Sequence, residues 1–393
     1  MGRAALALMA DFFFYGTLCH APLLQVVLGR RVGAEPALLA GYEVRSARGP
    51  DGGKPFPLLC AGGAGAPGVL VRGLSEADAA RLDYYEAGFA FHIREVEVQG
   101  QSGPVAARVY FADAGRWLEG PQWRLADWAA EWGEIVTEAA RDFMAGMGRI
   151  GAEAALARYP SMLARAASRL RAGKGGAAGL RRRPVPGDLE VQAVAVPYAR
   201  FFALEEYRLR HRRFDGAMTP PLDRVAFVST DAVVVLPYDP IRDRVLVVEQ
   251  FRTGAFARGD TNPWLLEPVA GRIDAGETPA EAARRETAEE AALRVDTLIA
   301  GPDYYPSPGA KTEFVYSFVA LADLPDSAAR LGGLEHEGED IRAHVLGFAE
   351  AEALMASGEI ATATLLVLLM WLAPRRARLQ AEARAGAGAR LGV

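Results

Sequence analysis

The chain has 393 residues, more than one ordinary domain needs, so we expect two or three domains. A hydrophobic content of 51% is enough for packed cores, and the net charge of −5 argues against nucleic-acid binding through a general basic field. Cys19 and Cys60 are the only cysteines, which excludes a disulfide framework or a four-cysteine zinc site and favours the reducing cytoplasm.

Residues 11–118 have the pattern of a strand-rich domain. Apolar or alternating stretches such as FFFYG, GVLVRGL, FHIREVEV and VAARVYFA are separated by clusters of glycine. The first ten residues are apolar after Arg3, but Asp11 ends that run, so we predict a first strand and no signal peptide. Residues 119–172 carry two amphipathic helical runs, which we interpret as a helical bridge.

The stretch 173–188, GKGGAAGLRRRPVPGD, has the composition of a linker. A second α/β pattern follows over 189–378. It contains a predicted hairpin, DAVVVLPYDPIRDRVLVVEQF, with its turn at DPIRD, and further strands at NPWLLEPVA and EFVYSFVAL. The apolar run 361–373 is short for a membrane span, so we predict a buried helix there and no membrane partner. We expect residues 379–393 to be a frayed tail.

The segment 271–293, GRIDAGETPAEAARRETAEEAAL, concentrates acidic residues on a predicted helix, and we name it the acidic box. Glu286, Glu289 and Glu290 stand at positions i, i+3 and i+4, so their carboxylates share one helix face. A solvated surface helix can have the same composition, because glutamate and alanine are strong helix formers. Carboxylates this close repel one another, however, and a hard cation would remove the repulsion. Oxygen ligands without nearby His or Cys favour Mg²⁺ or Mn²⁺ over zinc.

The acidic box resembles the signature of the Nudix hydrolases. The matching positions in this sequence are Gly271, Glu277, Arg285, Glu286, Glu289, Glu290 and Leu293. Thr287 replaces the usual aliphatic residue and Ala292 replaces the glycine that ends the motif, so both departures concern packing and helix termination and not the ligands. From about 198 to 373 the chain is similar to the ADP-ribose pyrophosphatases of this superfamily, and Pro308 lies where that subgroup carries a proline.

This resemblance implies an α/β fold, the Nudix α/β/α sandwich with a mixed sheet. It also implies a metal site in which Glu286 and Glu290 are the principal ligands, assisted by Glu289, Glu339 and the carbonyl of Ala270. The implied substrate is ADP-ribose, which water would split into AMP and ribose 5-phosphate. The metal would withdraw charge from the diphosphate and acidify the attacking water.

The loop 333–342, GLEHEGEDIR, has on composition alone the character of a solvated acidic loop. The resemblance instead assigns the catalytic base to Glu337, and a mobile loop suits a base because it can close over substrate. Arg252 and Arg224 are candidates for contacting the substrate phosphates, since a guanidinium offers forked donors to phosphate oxygens. An ordinary surface ion pair is the alternative for each arginine.

The first half of the chain carries a second resemblance. The stretches FFFYGTL and LDYYEAGFAFHIREVEV are similar to γ-glutamylcyclotransferase-like domains, which have an α+β fold built on a β-barrel. In that family a Tyr-Gly-Ser/Thr-Leu loop lines an anion-binding pocket, and the corresponding residues here are Tyr15, Gly16, Thr17 and Leu18. The family's acid/base glutamate falls on Glu86. The domain would release 5-oxoproline from a γ-glutamyl amine, or it would be a degenerate domain for oligomerisation or regulation.

We therefore predict a cytoplasmic fusion of a cyclotransferase-like domain with a Nudix ADP-ribose diphosphatase that has no nucleic-acid partner. Proteins that resemble this arrangement have been labelled tellurite-resistance proteins, but no residue here indicates a physical route to tellurite. Another nucleoside-diphosphate sugar as substrate, or a catalytically silent sensor of ADP-ribose, remains as an alternative. The subgroup commonly forms homodimers in which the segment before the box helps to build the partner's site, and residues 189–230 could do so here.

Overall fold

The structure is a computed structural model, and it describes residues 9–48, 56–86, 91–113, 117–176, 178–333 and 338–391. The chain divides into two compact units, Met1–Lys174 and Gly175–Val393. Each unit has its own sheet and its own hydrophobic cores.

The strands described in the first unit are β1 (Ala10–Phe14), β2 (Glu35–Leu39), β3 (Tyr42–Arg48), β4 (Phe56–Ala61), β5 (Ala66–Leu74), β6 (Phe91–Gly100), β7 (Gly103–Ala112) and β8 (Leu118–Gln122). Five of them close into a barrel in the order β1-β5-β2-β6-β7, and β4-β3-β8 form a small sheet. Side chains alternate along β1, because successive residues of a strand point to opposite faces. Phe13 packs with the barrel core, while Phe12 and Phe14 pack against the helices.

The helices described in the first unit are α1 (Ala21–Leu28), α2 (Glu76–Glu86), α3 (Leu125–Trp128), α4 (Glu134–Ala145), α5 (Ala152–Leu156) and α6 (Tyr159–Gly173). One turn of π-helix, Ala129–Gly133, which we call the π-turn, joins α3 to α4. Val136, Ala139 and Phe143 form the apolar stripe of α4 and share one core with Leu23 of α1 and Leu82 of α2. The helices that we interpreted as a bridge are therefore packed within the first unit.

Between Gly173 and Leu189 the described residues form no helix or strand. The strands described after it are β9 (Leu189–Ala199), β10 (Ala203–His211), β11 (Leu222–Val228), β12 (Ala232–Asp239), β13 (Arg244–Phe251), β14 (Trp264–Glu267), β15 (Val269–Arg272), β16 (Thr297–Ala300), β17 (Val315–Leu321), β18 (Leu331–Gly332) and β19 (Ile341–Gly347). The first three form a separate sheet in the order β11-β10-β9.

The larger sheet has the order β16-β17-β12-β13-β19-β18, with β14 paired to β13 and β15 paired to β12. It is mixed, because β12 runs parallel to β17 and antiparallel to β13. The predicted hairpin is present, with Tyr238 opposite Val245 and Asp239 opposite Arg244.

Helices cover both faces of this sheet. The described helices are α7 (Thr253–Arg258), α8 (Pro279–Ala291), α9 (Phe348–Ser357), α10 (Ala363–Leu372) and α11 (Arg376–Leu391). On β12, Val233 packs toward α8, whereas its neighbour Val234 packs toward α9 and α10. The unit is therefore an α/β/α sandwich, as expected.

The C-terminal end differs from our expectation of a frayed tail from residue 379. Helix α11 runs through Arg376–Leu391, and Leu379 is buried against α10 and the sheet. Alanine, arginine and glutamate favour a helix strongly enough to outweigh the glycines of this stretch. None of the helices in the described ranges has both the length and the hydrophobicity needed to cross a membrane.

Candidate functional site

Helix α8 carries most of the acidic box and begins at a complete cap. The Thr278 hydroxyl accepts a hydrogen bond from the Glu281 N–H at 3.3 Å, and the Glu281 carboxylate accepts one from the Thr278 N–H at 2.8 Å. These reciprocal bonds form a capping box, and Pro279 occupies the first helical position, where no donor is needed. The cap thus fixes where helix α8 begins.

Gly271 allows α8 and β15 to approach each other closely. A Cβ atom at position 271 would overlap the carboxylate of Glu286. The glycine of the motif therefore has a steric role, because it lets the Glu286 carboxylate lie directly against the backbone of β15.

Glu290 is buried beside the same strand. Its carboxylate accepts a hydrogen bond from the Ala270 N–H at 3.0 Å. Burial raises the pKa of Glu290 to about 8, and the charges of Glu286 and Glu339 add to the effect. Burial also raises the pKa of Glu286 to about 7, although Arg285 acts in the opposite direction. The site therefore holds crowded carboxylates whose ionised forms a cation would stabilise.

Arg285 binds three acidic residues of the box. Its Nε and Nη2 each donate to one oxygen of Glu277 at 2.9 Å, which is a bidentate contact. Its Nη1 donates to Glu286 at 2.7 Å and to Glu289 at 3.1 Å. Nη2 also donates to the Arg272 carbonyl at 3.0 Å, so this side chain ties the loop before α8 to the acidic face of the helix.

The donor set can be compared with what a metal ion requires. Within the described ranges, no three His, Cys, Asp or Glu side chains converge closely enough to hold a metal ion as they stand. Glu286 and Glu289 are instead bonded to Arg285. The chemistry of the donors nevertheless fits a hard divalent cation, because the side-chain donors at the box are carboxylates. Two of them, the buried Glu290 and the half-buried Glu286, are crowded together.

Two other predicted residues lie close to the box. Arg252 donates from Nε to Glu267 at 2.6 Å, and its charge lowers the pKa of Glu290 against the effect of burial. Glu339 is near enough for its charge to raise the pKa of Glu290. The predicted base, Glu337, lies outside the described residues.

Arg224 is not brought to the box within the second unit. It is exposed on β11, where its Nη1 donates to the carbonyl of Asp223 at 2.8 Å. In the described part of the chain, no hydrogen bond or ion pair joins Arg224 to the acidic residues of the box.

Sequence reasoning missed two polar residues near Arg252. Burial raises the pKa of Glu267, which holds the Arg252 guanidinium. Gln250 on β13 is buried, and its Nε2 has no hydrogen-bond partner among the described residues. Strand alternation could have identified Gln250, because this residue interrupts an apolar run on the face of β13 that carries Val248.

The remaining predicted residues meet in the first unit. After β1, the loop Tyr15–Leu18 borders a cavity of about 210 Å³, and Glu86 lies on the wall of the same cavity. Gly16 allows the loop to pass close to the small sheet, because a Cβ at this position would lie 2.5 Å from Cγ of Pro57. Tyr15 and Glu86, which are 71 positions apart in the sequence, thus border the same cavity.

Glu86 is the last residue of α2. Its side chain is half-buried and lines the cavity. The surrounding apolar groups raise its pKa to about 7 by desolvation. Within the described residues, no hydrogen bond reaches its carboxylate. Burial, and secondarily the charge of Glu86, raises the pKa of Tyr15, so the two side chains are close neighbours.

Comparison with known proteins agrees with this division. The NUDIX domain family matches residues 228–365, and the family described as Gamma-glutamyl cyclotransferase, AIG2-like, matches residues 12–130. The ADP-ribose pyrophosphatase of Escherichia coli (strain K12) is 40% identical over 185 residues, which are 47% of this chain and 88% of that protein. The chain belongs to the NUDIX family.

Other relatives of this NUDIX chain have two different names. The ADP-ribose pyrophosphatase of Haemophilus influenzae is 34% identical over 195 residues, 49% of this chain and 89% of that protein. The GDP-mannose pyrophosphatase of Pectobacterium atrosepticum is 32% identical over 171 residues, 43% of this chain and 86% of that protein. The second unit is thus a Nudix hydrolase, and Nudix hydrolases generally use divalent metal ions. The first unit has a γ-glutamylcyclotransferase-like fold.

Proposed function

We propose that the second unit hydrolyses the diphosphate bond of ADP-ribose and releases AMP and ribose 5-phosphate. The proposal depends above all on the carboxylates beside Gly271, the buried Glu290 and the half-buried Glu286. It is supported by the 40% identity to an ADP-ribose pyrophosphatase over 88% of that protein. Diphosphate cleavage needs positioning and charge neutralisation more than covalent help from the protein, and a divalent cation held by these carboxylates would supply both.

We propose that the cation is Mg²⁺, with Mn²⁺ as a substitute. Its ligands would be Glu286, Glu290, Glu289, Glu339 and the carbonyl of Ala270. When bound, the cation supplies positive charge to the diphosphate oxygens and acidifies a water molecule. The Ala270 N–H orients the Glu290 carboxylate, and Arg285 fixes Glu289 relative to the helix.

The other predicted residues would take part in proton transfer and phosphate binding. Glu337 would accept the proton of the attacking water. Glu267 binds Nε of Arg252 and thereby orients the guanidinium, whose terminal nitrogens would donate to a phosphate oxygen. Arg224 lies on the sheet β9–β11, and we propose that it contacts the substrate of a second copy of the chain.

The test of this function is turnover by the purified chain. With Mg²⁺ and ADP-ribose we expect AMP and ribose 5-phosphate in equal amounts, and none after chelation with EDTA. Parallel assays with GDP-mannose and NADH identify the preferred leaving group, because the box determines the diphosphate chemistry and leaves the sugar open. Tight ADP-ribose binding without turnover would indicate a sensor instead.

Replacing Glu290 tests the proposed metal role. We expect Glu290→Gln to lower kcat roughly 100-fold or more, because it removes a ligand charge that neutralises the cation. The fold should survive, since the amide oxygen of glutamine can still accept the Ala270 hydrogen bond. Glu281→Gln is the matched control on the same helix, because glutamine also completes a capping box. Equal activity of Glu290→Gln and the wild type would refute the metal role.

For the first unit we propose release of 5-oxoproline from a γ-glutamyl amine. The observation that favours it is the cavity shared by Glu86 and the loop Tyr15–Leu18. Backbone N–H groups of the loop would bind the substrate α-carboxylate. Glu86 would take a proton from the α-ammonium, whose nitrogen then attacks the γ-carbonyl. As the amide C–N bond breaks, Glu86 returns the proton to the leaving amine.

The cyclotransferase proposal is tested by the pH profile of 5-oxoproline release. Because the reaction needs ionised Glu86, kcat/KM should rise with pH and level off above about 7, the pKa of Glu86. Glu86→Gln should abolish release, whereas Glu76→Gln, an exposed change in the first turn of α2, should preserve it. A folded chain that releases no 5-oxoproline from any γ-glutamyl amine would support a degenerate interaction domain.

A further inference from the structure

We propose that the cavity of the first unit selects γ-glutamyl amides whose amine is neutral and apolar, such as an aromatic or branched aliphatic amine. This inference rests on the proposed cyclotransferase activity and adds its substrate class. It depends on the helical segment after residue 124, which contributes a large part of the cavity wall.

Two helical segments each present one apolar face to the cavity. The first runs from α3 through the π-turn into α4, and the second is α6. Trp128, Trp132 and Val136 follow one another at intervals of four residues, and Tyr159 and Leu163 repeat that interval on α6. Trp132 lies in the π-turn between α3 and α4, and π-turns occur frequently at functional sites. Both helices therefore shape the space into which the amine would project.

The wall has little charge. Among the described residues that line the cavity, Glu86 is the one acidic side chain, and no lysine or arginine is present. A lysine-like amine carries its own ammonium and carboxylate, and burying these against Trp128 and Leu163 without partners is unfavourable. An apolar amine, by contrast, gains from leaving water.

The residues of this face both belong to the core and border the cavity, since Trp128 and Val136 share one core with Phe143 and Trp132 packs against that core. Phe143 of α4 is fully buried and fills the core between α1 and α2, whereas Val136 and Trp132 also border open space. Protein interiors are close-packed, so apolar side chains around about 210 Å³ of space suit a ligand.

The experiment compares 5-oxoproline release by the full chain from four amides. These are γ-glutamyl benzylamide, γ-glutamyl isopentylamide, γ-glutamyl-ε-lysine and the small polar γ-glutamylethanolamide. We expect kcat/KM for the benzylamide and the isopentylamide to exceed that for γ-glutamyl-ε-lysine by roughly tenfold or more. Equal values, or a preference for γ-glutamyl-ε-lysine, would overturn the inference.

The variant Trp132→Ala tests whether the helical wall causes the preference. It should raise KM for the benzylamide about tenfold more than KM for the ethanolamide, and circular dichroism checks that the variant folds. Leu118→Ala, an exposed change on β8, is the control and should alter neither rate. If ethanolamide turnover is lost as well, Trp132→Phe is measured. This variant should keep the benzylamide preference, because phenylalanine is also apolar and aromatic, and loss of the preference would count against the inference.

A binding measurement separates this inference from the cyclotransferase proposal. If none of the four amides yields 5-oxoproline, the catalytic proposal fails, and binding of the same compounds to the full chain is measured by calorimetry. Benzylamide binding roughly tenfold tighter than γ-glutamyl-ε-lysine binding, and lost in Trp132→Ala, would support the apolar specificity alone. Equal or absent binding would overturn it.

Discussion

At the scale of single residues, Glu86 shows how burial changes the behaviour of one carboxyl group. Desolvation raises its pKa from the usual 4.5 to about 7. The folded chain therefore binds this proton more tightly than the unfolded chain does. The corresponding stability is complete below pH 4.5 and is lost as the pH rises through about 7.

This difference gives a prediction for Glu86→Gln. Relative to the wild type, the variant should gain up to about 3 kcal/mol in free energy of unfolding between pH 4.5 and pH 8, because it carries no charge to desolvate. Denaturant titrations of both proteins across this range, followed by tryptophan fluorescence, measure the effect. Parallel pH curves would show that Glu86 titrates normally.

Residue spacing predicted part of the candidate sites. The positions i, i+3 and i+4 indicated a shared acidic face, and the structure has Glu286, Glu289 and Glu290 on one side of α8. Spacing could not show that Glu290 is buried while Glu289 is partly exposed, because that depends on the neighbouring strand. Nor could it predict that Glu267 binds Arg252, since strand pairing brings these residues together.

At the scale of elements, the end of α8 carries a departure from the Nudix signature. Ala292 caps the helix with φ 47° and ψ 36°, a left-handed conformation that glycine adopts without steric cost. We expect Ala292→Gly to raise the free energy of unfolding by about 1 kcal/mol, because a Cβ is unfavourable in this region. Thermal and denaturant unfolding of the variant test this.

Asp243 provides the contrasting control for Ala292→Gly. It also has a positive φ, 57°, but its carboxylate accepts hydrogen bonds from Tyr238 and from Nε of Arg376, each at 2.9 Å. Asp243→Gly should therefore destabilise the chain, since the lost hydrogen bonds outweigh the relief of backbone strain. If Ala292→Gly destabilises the chain as Asp243→Gly does, relief of backbone strain does not govern the effect at Ala292.

Individual helices and strands were easier to predict than the elements with which they pair in the fold. Turn chemistry and apolar runs located the hairpin of β12 and β13, because both signals are local. The parallel pairing of β12 with β17 joins residues more than 80 positions apart and has no local signal. We expected a frayed end, whereas helix α11 forms there with Leu379 packed in the core of the second unit.

At the scale of the whole molecule, the sheet β9–β11 supports our proposal of a homodimer. Val194, Val196 and Val225 are exposed on this sheet, and apolar surface of this kind marks interaction sites. The double variant Val194→Glu/Val196→Glu should therefore be monomeric in light scattering while the wild type is dimeric. Leu180→Glu, at a fully exposed apolar position outside the sheet, should leave the dimer intact. A wild-type monomer would contradict the proposal.

The presence of both units on one polypeptide has a consequence for the cell. Two separately encoded proteins can be synthesised and degraded at independent rates. The units Met1–Lys174 and Gly175–Val393 are translated together, so each ribosomal pass yields them in equal number. Control over the synthesis of one unit therefore also acts on the other. Control that separates the two units must act on the activity of each unit.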